Sequence, residues 1–135
     1  MHWLSFYWFS RTFTFNLHVL TFKISTILAF SKSSTYYFKT STITLDNVPR
    51  FIASRETDGL IKLVADSKTD KLLGATILAP EAGDSIQTMV IALKAGLTTE
   101  ELGDTIFPYL TAVEGLKLAA QSFNKDVKKL SCCAG

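Results

Sequence analysis

Two apolar runs joined by a short polar stretch constrain this chain more than any other feature. Gly59-Leu-Ile-Lys-Leu-Val-Ala65 and Lys71-Leu-Leu-Gly-Ala-Thr-Ile-Leu78 are both rich in β-favouring side chains, and Asp66-Ser-Lys-Thr-Asp70 between them has the polarity and length of a hairpin turn. The pair is expected to form the core of an antiparallel sheet. In the first run Leu60 and Lys62 alternate with Ile61 and Leu63, so one face can be buried while Lys62 reaches water. Upstream, Thr40-Ser-Thr-Ile-Thr-Leu45 alternates in the same way and reads as an edge or linking strand, with Asp46-Asn47 and Pro49 as its stop. These strands carry structure rather than chemistry.

Helical periodicity begins after the hairpin. From Pro80 to Leu97, the residues Ala82, Ile86, Met89, Val90, Leu93 and Leu97 recur at three- and four-residue spacing and make one apolar stripe. Pro80 suits a first helical turn, Glu81 and Asp84 suit the positive end of the helix dipole, and Gly96 supplies the stop. Thr98-Thr-Glu-Glu101 has the capping-box pattern, in which a threonine caps a helix and a glutamate three residues later caps back, so a short helix should follow. Thr111-Ala-Val-Glu114 repeats that pattern and predicts a further helix to about Phe123. Val113, Leu116, Leu118, Ala119 and Ala120 should form its buried side, Lys117 should face water or reach a carboxylate, and Phe123 anchors its end.

The chain's two cysteines are neighbours, Cys132 and Cys133, two residues from the C-terminus. Adjacent cysteines cannot staple distant segments, so they form no secreted-type framework and read as free thiols in a reducing cytoplasm. The thiolate is the metal ligand, and soft thiolates favour soft metal ions. Lys125, Lys128 and Lys129 precede the pair and favour the thiolate form, although such lysines on a tail are also ordinary solvated charges. Zn(II), Cu(I) and Cd(II) all suit such donors.

Residues 1–38 read differently. They are crowded with aromatic residues, and the first acidic side chain of the chain is Asp46. Neither period persists there, aromatic residues stand where a signal peptide needs its basic start, and Leu17 to Phe30 falls short of the ~20 residues of a membrane helix. This segment is expected to be poorly packed, and a membrane span is not favoured. A net charge of +2 with 19% charged residues gives no argument for nucleic acid or an acidic membrane surface.

Several stretches together resemble one family. Phe107-Pro-Tyr-Leu-Thr111, Glu114-Gly-Leu-Lys-Leu-Ala-Ala120, Phe123-Asn-Lys-Asp126 and Lys129-Leu-Ser-Cys-Cys-Ala-Gly135 are similar to the C-terminal interface domain of mercuric reductases, in the pyridine nucleotide disulfide oxidoreductase family. Thr44-Leu-Asp-Asn-Val-Pro-Arg50, Gly59-Leu-Ile-Lys-Leu-Val64 and Ala79-Pro-Glu-Ala-Gly83 extend the resemblance over residues 39–135. It implies an α+β dimerisation domain, an antiparallel sheet with helices packed on it, and a homodimer. In the wider family a histidine, supported by a glutamate five residues later, serves the partner's thiols as acid and base. Here Tyr109 stands at the histidine position and Glu114 at that of the glutamate.

What the resemblance implies for chemistry is capture of Hg(II) from small thiols by Cys132 and Cys133, followed by transfer to inner thiols aided by Tyr109. Reduction to Hg(0) then uses FAD and NADPH in the complete enzyme. A chain of 135 residues fits one ordinary domain and is too short for the flavin, nicotinamide and interface domains together. It also has no Cys-x4-Cys pair and no Gly-x-Gly-x-x-Gly fingerprint. The expectation is therefore a fragment that binds Hg(II) without reducing it. The alternative is a free-standing module that binds soft metals or dimerises without redox activity.

Overall fold

The computed structural model describes residues 19–21 and 37–126, and the tail cysteines Cys132 and Cys133 lie outside that range, as does most of the aromatic-rich segment. Four antiparallel strands form one sheet: β1 (Val19–Thr21), β2 (Phe38–Thr44), β3 (Leu60–Asp66) and β4 (Leu72–Leu78), in the order β1-β4-β3-β2. Helices α1 (Pro49–Ser54), α2 (Ala82–Ala95), α3 (Thr99–Asp104) and α4 (Glu114–Gln121) complete an α+β fold. The anticipated hairpin is β3–β4, with Ile61 opposite Ile77 and Leu63 opposite Ala75. Its turn is closed by Asp66, whose carboxylate accepts from the backbone N–H groups of Lys68 (2.9 Å) and Thr69 (2.8 Å). Those bonds hold the Asp66 carboxyl below the usual range, the Thr69 N–H having the larger effect.

One face of the sheet is the core. Ile43, Ile61, Leu63 and Ile77 are buried there together with Met89 of α2 and Leu116 of α4, while Lys62 is exposed as its alternation requires. Helix α2 packs against β4 and β1, α4 packs against β3 and β2, and α3 packs against α4. Glycine matters most at two close approaches. At Gly59, with φ 142°, a Cβ would sit 2.1 Å from the carbonyl oxygen of Leu78; at Gly115 it would sit 2.5 Å from Cδ1 of Ile61. Gly115 therefore lets the first turn of α4 lie directly on the sheet and on Val48. The other end of α4 is tied to edge strand β2, where Ser41 Oγ donates to the Ala119 carbonyl at 2.7 Å and meets the Ser122 hydroxyl. Lys39 of β2 pairs with Asp70 at 2.6 Å and lies over the Phe123 ring.

Several local expectations need correction. Leu45 leaves the strand and opens a 3-10 turn, Leu45–Asn47, and Pro49 starts α1 instead of merely ending β2, because proline at N1 costs no hydrogen bond. Pro80 precedes α2 rather than entering its first turn. Left-handed Glu81 (φ 55°) intervenes at the N-cap and offers no side-chain cap bond. Ser85 and Ala92 join the buried side of α2, whereas Val90, Leu93 and Leu97 are only partly covered. Helix α4 ends at Gln121, and Phe123 packs against the core from the turn beyond it. Among the described residues no helix is long and apolar enough to cross a membrane.

Candidate functional site

Tyr109 lies on the segment that joins α3 to α4, Glu114 opens α4 directly after it, and each is positioned by a local device. Phe107 packs against the core and Pro108 follows it. The chain then turns at Tyr109 and Leu110, with the Thr111 hydroxyl donating to the Pro108 carbonyl at 2.8 Å across the turn. Leu110 is left-handed at φ 64°, the region a second central turn residue takes when glycine normally stands there. For leucine this costs roughly 1–2 kcal/mol. The result is an outward tip: Tyr109 is 63% exposed and Leu110 40%.

Glu114 lies at the base of this turn as the first residue of α4. The capping box expected from Thr111 and Glu114 does not form. Val113 is already helical at the N-cap position and makes no side-chain cap bond, and the Thr111 hydroxyl is spent on Pro108. Glu114 is half-buried, and its Oε2 is buried without a hydrogen-bond partner among the described residues. A carboxylate at a helix N-terminus is favoured by the dipole, but a buried oxygen left unmatched costs about 1–3 kcal/mol.

A cavity of about 260 Å³ opens beside this segment, between the first turns of α2 and residues 111–113. Glu81, Asp84, Ser85, Thr88, Thr111, Ala112 and Val113 line it. Neither FAD nor NADPH fits here, since two carboxylates would face a pyrophosphate and the volume is below that of ordinary cofactor clefts. Among the described residues no group of three or more His, Cys, Asp or Glu side chains is arranged to hold a metal ion. Cys132 and Cys133, the residues expected to capture metal, lie outside the described residues. Leu110 had no signal in the sequence, because leucine rarely adopts φ above zero; only the tertiary fold identifies it.

Comparison with known proteins places this geometry. Residues 30–120 match the family model described as pyridine nucleotide-disulphide oxidoreductase, dimerisation domain. The chain is 60% identical over 94 residues to mercuric reductase of Serratia marcescens, covering 70% of this chain and 20% of that one. It is 55% identical over 105 residues to mercuric reductase of Bacillus cereus, covering 78% of this chain and 17% of that protein. Among solved structures, LpdA of Mycobacterium tuberculosis is similar in fold, with a TM-score of 0.64 at 23% identity over 78% of this chain and 22% of LpdA. The Cu(II) complex of the flavoprotein disulfide reductase RclA of Escherichia coli gives 0.62 at 28% identity over 67% of this chain and 20% of RclA. The chain spans about a fifth of the length of the curated relatives it matches.

Proposed function

The chain belongs to the pyridine nucleotide-disulphide oxidoreductase dimerisation-domain family, and from that premise we propose that it is the dimerisation and mercury-capture part of a mercuric reductase. The degree of identity to mercuric reductases across the domain carries this reading. The partner is a second copy of the chain, the substrate is Hg(II) held by small cytoplasmic thiols, and FAD and NADPH belong to the complete enzyme.

Capture is ligand exchange without redox change. A Cys132 or Cys133 thiolate forms a sulfur–mercury bond, and a small thiolate leaves with the electron pair of the bond it loses; a second exchange gives a bis-thiolate complex. Lysines 125, 128 and 129 stabilise the attacking thiolates. Tyr109, held outward by the Pro108–Thr111 turn, donates its hydroxyl to a sulfur or lends a weak oxygen contact while ligands exchange. The unmatched Glu114 oxygen accepts from a donor brought by the approaching surface.

The test is a titration of the full chain with Hg(II) against competing small thiols, beside a variant carrying Cys132→Ala and Cys133→Ala. The reading requires tight one-to-one binding that the variant loses. Equal binding by both proteins would remove the capture role.

A further inference from the structure

The cavity between α2 and residues 111–113 has no part in the exchange at the tail, and its lining is chemically one-sided. The polar groups are all oxygen: the carboxylates of Glu81 and Asp84 and the hydroxyls of Ser85, Thr88 and Thr111. Neither carboxylate is paired with a cation among the described residues, and no lysine or arginine lines the opening. Ser85 is the sharper observation. It is only 4% exposed, yet among the described residues its hydroxyl enters no hydrogen bond. A buried hydroxyl without a partner is costly, and a guest in the cavity supplies one. The Thr111 hydroxyl gives its proton to the Pro108 carbonyl, which leaves its lone pairs free to accept.

We propose that this cavity binds a primary ammonium group, and that the ammonium belongs to the small amino-thiol that delivers Hg(II). An ammonium brings three N–H donors and a positive charge, which match a lining of oxygen acceptors that includes two carboxylates. The positive end of α2 opposes a cation by about half a charge, which two carboxylates outweigh. A divalent metal ion matches less well. It needs about six or more oxygen ligands held close, whereas no three acidic side chains are grouped here and a cavity of about 260 Å³ far exceeds an ion. Residues 111–113 are both a wall of the cavity and the continuation of the Tyr109 turn, so a carrier held by its ammonium keeps its mercury close to that turn. The tail is long enough to meet it: from Asp126 to Cys132 the chain reaches up to ~20 Å, while α4 is only ~12 Å long. Docking raises the local concentration of the metal without altering the exchange, so it acts on the rate of capture. This assignment rests on the capture reading and names the chemistry of the carrier.

Two measurements on the full chain test it. The first follows amide NMR shifts as the Cys132→Ala, Cys133→Ala protein is titrated with S-methylcysteamine, an ammonium ligand whose sulfur is blocked. Residues 81–88 and 111–113 should shift saturably, and adding Glu81→Gln with Asp84→Asn should weaken binding about tenfold or more. The second compares the rates at which the chain takes Hg(II) from cysteamine and from 2-mercaptoethanol, which lacks the ammonium. The ratio of the two rates should fall about tenfold in Glu81→Gln with Asp84→Asn, whose folding circular dichroism verifies. Absence of shifts at the cavity, or tighter binding of Ca(II) than of the amine at the same residues, would overturn the site. Shifts with an unchanged rate ratio would overturn the amino-thiol carrier. Shifts in a chain that captures no Hg(II) from either thiol would overturn the capture reading and keep the ammonium site.

Discussion

The chain writes the same four-residue pattern twice and folds it two ways. At Thr98-Thr-Glu-Glu101 the capping box closes: the Thr98 hydroxyl accepts from the Glu101 N–H at 3.2 Å, and the Glu101 carboxylate accepts from the Thr98 N–H at 2.7 Å. At Thr111-Ala-Val-Glu114 neither reciprocal bond forms, the threonine staples a turn instead, and the glutamate keeps a buried oxygen without a partner. The first box closes at a helix start that the bridge between Lys71 and Thr98 and the bond from the Thr99 N–H to the Asp70 carbonyl hold in register with the hairpin. The second stands where Gly115 is pressed against Ile61 and Val48, so packing fixes where α4 begins and leaves the cap unused. A glutamate released from capping is available for something else, and here it lies on the same segment as Tyr109.

The largest expected effect tests the packing half of this contrast. Gly115→Ala drives a methyl into Ile61 and should destabilise the domain by about 1–3 kcal/mol in urea unfolding, because a filled core tolerates an added carbon poorly. A neutral result would mean that α4 is not located by close contact. Next comes the cap itself. Thr98→Ala should cost about 1 kcal/mol, while Thr111→Ala should cost under ~0.5 kcal/mol because it removes only an exposed staple. Equal losses at both positions would erase the distinction between the two boxes.

Glu114 gives a prediction of opposite sign. Glu114→Met removes an unmatched buried oxygen and should leave stability unchanged or raise it by up to ~1 kcal/mol, measured in the same urea series as Glu101→Ala, which should lose stability. Marked destabilisation by Glu114→Met would show that the carboxylate supports the fold after all. The smallest effect is pH-dependent. The backbone N–H of Thr98, then its hydroxyl, holds the Glu101 carboxyl below its ordinary value, so its contribution to stability is complete above the unfolded pKa and fades as pH falls through the lower folded pKa. Stability curves taken downward from about pH 5 should therefore decline less in Glu101→Gln than in the wild type, with the two converging in strong acid.

Much of the fold was legible because its signals are local. The β3–β4 hairpin follows from two alternating runs around a polar turn, and the Asp66 turn supplies the hydrogen bonds that such a sequence promises. The buried side of α4 follows from 3.6-residue spacing, with Leu116, Leu118, Ala119 and Ala120 all in the core. Tyr109 and Glu114 became candidates for the site only through resemblance, since a tyrosine after proline and a glutamate after T-x-x carry no chemistry by themselves. The α1 helix was missed because Asp46-Asn47 and Pro49 read as a stop, although the same residues can open a helix.

By itself, then, the sequence determined the hairpin, the helix faces, the Thr98 cap and the family, all of which depend on neighbours within a few residues or on motif identity. The tertiary structure alone decided that Leu110 is left-handed, that Gly115 must lack a side chain, that the Thr111–Glu114 box stays open, and that Glu81 and Asp84 line a cavity shared with residues 111–113. Those outcomes depend on which surfaces the fold presses together. Packing contacts worth several kcal/mol override a cap worth about one.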